Sequence, residues 1–151
     1  MKISGYSLIV MLSVCLGSGC GQQSANPKAG IEIVNPQLRE PPPGINTTVA
    51  YMTLVNHGPN ACHLTGGKAD FARAIEVHEH SHHDGLMQMR KLDQLTLAPH
   101  SETRLEPGGY HLMIFDVNQS LASGKEYSLT LVFSDCPSAM AHAMVKPVTG
   151  N

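Results

Sequence analysis

Four side chains of this 151-residue chain carry soft or borderline metal donors at spacings that extended strands can bring together: His78, Met89, His111 and Met113. Between Arg73 and Lys91 two strand-like runs flank Ser81-His82-His83-Asp84-Gly85, which reads as a hairpin loop because its glycine can take positive φ. With the turn centred between His83 and Asp84, His78 opposes Met89 and His80 opposes Met87, all on one face of the hairpin. Directly opposed positions hold their Cβ atoms about 4.5–5.5 Å apart, close enough for an imidazole and a thioether to reach one ion. A slip of one residue would undo that arrangement. The segment Gly108-Gly109-Tyr110-His111-Leu112-Met113 supplies the other half. His111 and Met113 point the same way on an extended strand, while Leu112 and Ile114 point oppositely, into the core.

Two imidazoles with two thioethers form a soft to borderline donor set that suits Cu(I) rather than Ca²⁺, Mg²⁺ or Mn²⁺. Zinc favours Cys or carboxylate where this set has Met. Thioethers need no deprotonation and cannot be lost to disulfides, which makes Met a serviceable soft ligand in an oxidising compartment, with sulfoxide formation its hazard. Taken one at a time these residues have a plainer reading, since a strand Met is usually core and a strand His is usually exposed or hydrogen-bonded. His80, His82 and His83 enrich the hairpin beyond a four-donor set and are candidate extra ligands for Cu(II) or Zn²⁺, against the alternative of a solvated hairpin tip. Met87 reads as packing beside the site or as a further ligand. Met140, His142 and Met144 share one strand face, where ordinary packing is the better expectation and a weak second copper site the alternative. His57, His63 and His100 sit beside turn residues and receive no functional reading.

The elements that must position these groups are strands. From Ile31 onward short alternating apolar runs are broken by Gly, Pro, Asn and Asp, with no sustained helical periodicity. The expected strands are 31–34, 48–56, 62–68, 73–80, 86–91, 94–97, 102–106, 111–117, 126–133 and 141–145. Turns fall at Pro41-Pro-Pro-Gly44, Asn56-His-Gly-Pro-Asn60, Asp84-Gly85, Pro107-Gly-Gly109 and Ser123-Gly124. Ten short strands imply an all-β sandwich or Greek-key barrel.

The length suits one domain, residues 31–151, behind a processing segment. Residues 1–19 read as a signal peptide. The small residues before Cys20 resemble a lipobox in which Cys20 is lipidated, although Gly17 stands where Leu is usual; ordinary secretion or an uncleaved anchor is the alternative. Residues 20–30 then form a lipidated, flexible tether, and the domain works at the membrane surface, outside the cytoplasm. With Cys15 removed and Cys20 lipidated, Cys62 and Cys136 remain, either as a disulfide or as thiolate ligands. A formal net charge of −2 with no basic stripe argues against nucleic acid as a partner. No nucleophile–base pair, catalytic carboxylate pair or phosphate-binding glycine loop appears, so no enzyme is expected.

Ten residues separate His78 from Met89, twenty-one separate Met89 from His111, and one separates His111 from Met113. This spacing, with Ala50-Tyr-Met-Thr-Leu54, Glu76-Val-His-Glu79, Gly85-Leu-Met-Gln-Met-Arg90 and Pro107-Gly-Gly-Tyr-His-Leu-Met113, resembles the periplasmic copper chaperone (PCuAC) family over residues 31–148. The resemblance implies a cupredoxin-like β-sandwich. It also implies an exposed Cu(I) site made of His78, Met89, His111 and Met113, and copper delivery to an acceptor such as the binuclear copper centre of cytochrome c oxidase subunit II or another copper chaperone. A monomer on the periplasmic side of the envelope is the matching expectation. Two rival functions remain beside it. One is an electron-transfer cupredoxin using Cys136, His142 and Met144, whose spacing fits that purpose poorly. The other is a copper-scavenging or resistance lipoprotein without a dedicated acceptor.

Overall fold

The computed structural model describes residues 30–83 and 86–147, except for the side chains of His82 and His83. The expected signal peptide, Cys20 and all but the last residue of the tether lie outside that range. Among the described residues there is no helix. Ten strands follow one another: β1 (Ile31–Arg39), β2 (Thr48–Asn56), β3 (Cys62–Ala69), β4 (Ala72–His83), β5 (Leu86–Lys91), β6 (Leu95–Leu97), β7 (Ser101–Leu105), β8 (Tyr110–Val117), β9 (Glu126–Phe133) and β10 (Ala139–Lys146).

Alternation dictates how each strand sits. Along β2, Thr48, Ala50, Met52, Leu54 and Asn56 are buried while the residues between them are only partly covered, as a pleat with one face on a core requires. The same rule puts Val77, Leu112, Ile114, Leu129, Leu131 and Val145 at no more than 1% exposure. The strands run in the order β4-β8-β7-β2-β1-β10-β9-β3, and β3 pairs back onto β4 to close a barrel of cupredoxin-like Greek-key topology. Closure removes the free edges that an open sheet would expose. The seam needs glycine. Gly66 has φ +151°, and a Cβ on it would stand 2.6 Å from the Ile75 carbonyl oxygen of β4.

β4 is longer than the barrel needs. Its first half pairs with β3 and its second half, from His78 to His83, pairs with β5, so the β4–β5 hairpin continues past the closed ring. Every residue of β5 is exposed. Cys62, at the start of β3, and Cys136, between β9 and β10, form a disulfide with a Cα–Cα distance of 5.7 Å.

Two expectations are corrected here. β1 does not end at Val34 but runs to Arg39, because a bulge between Val34 and Gln37 absorbs Asn35, at φ +49°, and Pro36. A bulge is where a strand tolerates a proline that has no N–H to donate. The hairpin register differs by two: His80 opposes Met89 and His82 opposes Met87, while His78 opposes Lys91. Pairing extends to His83 and Leu86. An even shift preserves faces, so the donors stay on one side.

Candidate metal centre

Three adjacent strands, β5, β4 and β8, present the donors on their common outer face. His78 on β4 stands directly opposite His111 on β8, and Glu76 stands opposite Met113. On the other flank of β4, Met89 stands opposite His80. The structure thus brings His78, His111 and Met113 to one patch. It carries Met89 there through His80, with His78 on the diagonal, a span of about 7–8 Å that a long side chain can cover. The imidazoles form a close group. The His80 and His111 rings stack at 4.7 Å between centroids, and His78 lies 6.0 Å from both His111 and Phe115.

Hydrogen bonds fix which nitrogen of each ring is free. His111 Nδ1 meets the Gly109 carbonyl oxygen at 3.1 Å, so Nδ1–H donates and Nε2 keeps its lone pair. His78 Nε2 lies 3.0 Å from Glu76 Oε2, which leaves Nδ1 as its free nitrogen. Lys91 holds the other Glu76 oxygen at 2.8 Å, and Lys91 and then His78 keep that carboxyl below its ordinary value. A carboxylate or carbonyl behind an imidazole is the usual outer support of a metal-binding histidine. Among the described residues the buried side-chain nitrogens and oxygens without a hydrogen-bond partner are His78 Nδ1, His80 Nδ1 and His111 Nε2. Buried polar atoms are seldom left unmade, and three on neighbouring imidazoles fit a soft or borderline metal cation. No three His, Cys, Asp or Glu side chains among the described residues already surround one metal-sized point, so a donor set at this patch has to draw on the thioethers or turn a ring.

Electrostatics favour the neutral ring at the centre of the patch. Burial lowers the pKa of His111, the Gly109 hydrogen bond opposes that shift, and His80 and His78 add to it. A neutral imidazole is the ligating form. Exposure grades across the face: His111 is 1% exposed, Met113 is partly covered beside an open groove of about 480 Å³ lined in part by Tyr51, Ile45 and Pro107, and Met89 is 49% exposed. The patch is therefore not exposed throughout, as the resemblance implied, but closed at His111 and open at Met89.

The remaining sequence candidates separate clearly. Met87 is 61% exposed and does not pack beside the site. The side chains of His82 and His83 lie outside the described residues. Met140 and Met144 are 64% and 37% exposed and His142 is exposed too, because Ala141, Ala143 and Val145 take the inward positions; the packing reading of that face is corrected. His142 Nδ1 is 2.9 Å from Ser128 Oγ. With Cys136 bonded to Cys62, neither sulfur is a thiolate ligand, and the electron-transfer arrangement loses its cysteine. His57 and His63 pair with Glu32 and Asp135. Sequence reasoning missed Glu76 and Lys91. Their signal was parity alone: Glu76 is two residues before His78 on the same strand, and Lys91 two after Met89.

A family model described as "Putative lipoprotein LpqE-like" matches residues 31–145. The chain belongs to the LpqE-like lipoprotein family. Membership supports a lipoprotein of the cell envelope. Among its relatives, "Uncharacterized protein RP573" of Rickettsia prowazekii is 27% identical over 115 residues, covering 72% of this chain and 62% of the relative. "Putative lipoprotein Lxx21020" of Leifsonia xyli subsp. xyli is 28% identical over 108 residues, covering 71% and 65%. The chain thus spans just under two thirds of the length of these curated relatives. Among solved structures, the copper-bound PCuAC domain from PmoF2 matches with a TM-score of 0.67 and 27% identity, covering 78% of this chain and 92% of that one. The Cu(I) form of DR1885 from Deinococcus radiodurans matches with a TM-score of 0.62 and 26% identity, covering 83% and 85%. This LpqE-like chain has the fold of the PCuAC copper-chaperone domains.

Proposed function

We propose that this protein is an extracytoplasmic copper chaperone that carries one Cu(I) between His78, Met89, His111 and Met113 and passes it to an acceptor bearing thiolates. The binuclear copper centre of cytochrome c oxidase is the acceptor class the resemblance favours. The observation that carries the reading is that His78 Nδ1 and His111 Nε2 are buried without partners, on a face that also holds Met89 and Met113. The likeness to copper-bound domains supports it. In this reading residues 1–19 are removed, Cys20 carries lipid, and residues 31–151 work as a monomeric, non-enzymatic domain on the periplasmic side.

Transfer follows from the gradient of exposure. Acceptor thiolates approach from the Met89 side, where a neutral thioether yields to a charged sulfur without any proton to move. His78 and His111 let go last, since their rings are held from behind by Glu76 and Gly109. The barrel itself need not move.

An anaerobic Cu(I) competition titration tests the reading, run beside X-ray absorption of the loaded protein. One equivalent with sulfur neighbours is expected, and Met113→Ala should weaken binding by at least about tenfold, or 1.4 kcal/mol. Absence of sulfur around the bound ion, or unchanged affinity in Met113→Ala, overturns it. Transfer to a candidate acceptor, or its absence with every candidate, separates the chaperone from a scavenger.

A further inference from the structure

The four-donor reading leaves one imidazole unexplained. His80 lies directly opposite Met89, stacks on the His111 ring at 4.7 Å, and has a buried Nδ1 with no hydrogen-bond partner. The His80 backbone N–H donates to the Gly109 carbonyl at 3.1 Å, the same oxygen that receives His111 Nδ1–H, so the two residues are tied to one anchor. A solvated hairpin tip would leave its ring nitrogens in water. This ring instead aims an unmade lone pair or N–H into the donor face, at a cost that a bound ion would remove.

We propose that His80 is a third imidazole donor, and that with His78 and His111 it lets this pocket take copper(II) as well as copper(I). The proposal rests on the reading of this face as a copper site and deepens it. Two donor subsets overlap on the patch. Two imidazoles with the thioethers of Met89 and Met113 suit Cu(I), whereas three imidazoles with an open position for water suit Cu(II), which favours nitrogen and oxygen in a tetragonal arrangement. The three free nitrogens do not yet surround one point, so Cu(II) requires the His80 ring to turn off the His111 ring. Partial burial of His80 and the exposure of its β5 neighbours favour that turn. Glu76 is already engaged by His78 and Lys91, which leaves imidazole as the chemistry on offer. The functional consequence is that one patch holds copper in either oxidation state, each through its own donor subset.

The experiment uses the whole chain with CuSO₄ in air, and Cu(I) under anaerobic conditions, on the parent and on His80→Phe, His80→Ala and the double variant His82→Ala/His83→Ala. Phenylalanine keeps an aromatic ring to stack on His111 and removes only the donor. The parent should bind one Cu(II) with electron paramagnetic resonance showing three coupled nitrogens. His80→Phe and His80→Ala should lose at least about tenfold in Cu(II) affinity and one nitrogen from the spectrum, while Cu(I) affinity stays within about threefold. The double variant should keep the three-nitrogen spectrum. Unchanged Cu(II) affinity and nitrogen count in His80→Phe overturns the proposal, as does loss of the signal in the double variant alone. Loss of Cu(I) and Cu(II) together in His80→Phe, with the melting temperature kept, overturns it too, because His80 would then be an obligatory ligand. The outcome is separable from the Cu(I) reading, which stands or falls on Met113→Ala.

Discussion

Glu76 and His78, two positions apart on β4, meet through a 3.0 Å contact between Oε2 and Nε2 that sets which imidazole nitrogen faces the patch. Glu76→Gln can no longer offer a charged acceptor, and the His78 ring becomes free to flip. Copper affinity is expected to fall by about 10–100-fold, the usual cost of losing such support. Stability should change little, because Glu76 is partly exposed. A competition titration beside a melting curve checks both halves; equal affinity in the variant would show that the contact orients nothing.

His111→Phe should separate stability from binding in the opposite sense. The ring is 1% exposed and its Nε2 has no partner, so the residue is held in the fold at a cost. Phenylalanine fills a similar volume and buries no orphaned nitrogen. Chemical denaturation should show the variant more stable by about 1 kcal/mol or more, with Cu(I) binding largely lost. A less stable variant would mean that the Gly109 hydrogen bond outweighs the unmade one.

Acid should weaken the protein through the same ring. His111 is driven below the ordinary imidazole value of 6.5, chiefly by burial, so its folded form resists a proton that the unfolded chain accepts. As pH falls through 6.5 the unfolded state therefore gains protons first, and stability drops until the folded ring itself titrates. Denaturant midpoints measured from about pH 8 to about pH 5 should decline more steeply in the parent than in His111→Phe. Parallel curves would assign the decline to other groups.

The disulfide should matter to the barrel and not to the patch. Cys62 and Cys136 close a loop of 74 residues, which in the chain-entropy model corresponds to about 4 kcal/mol. The double Cys→Ser variant is expected to lose stability of that order and, while folded, to bind Cu(I) as the parent does. A parallel loss of copper affinity would make the bridge part of the site.

The strand set was legible because its code is local. Alternation and turn residues placed ten strands, with 48–56, 86–91 and 126–133 matching end to end. The exception, β1, shows the limit of that code: Asn35-Pro36 looks like a stop and is a bulge, because the partners that carry the strand onward, β2 and β10, are distant in sequence. The donor face was legible for the same local reason, since parity survives a register shift of two. The partner of Met89 was not, because the hairpin centre depends on whether Ser81 to His83 pair or loop. Burial of His111 was out of reach as well. The His78 and His80 rings stand 6.0 and 4.7 Å from it on the neighbouring strand, and a lone His before Leu112 carries no trace of them.

β4 belongs to two bodies at once, a wall of the closed barrel as far as Glu79 and, from His78 onward, one leg of the β4–β5 ribbon. An ion seated between them would rest on a covered jaw carrying His78 and His111 and be latched by an exposed one carrying Met89. The inner jaw sets which ion is held and the outer one sets from which side it leaves, so choice of cargo and route of exit fall to different residues.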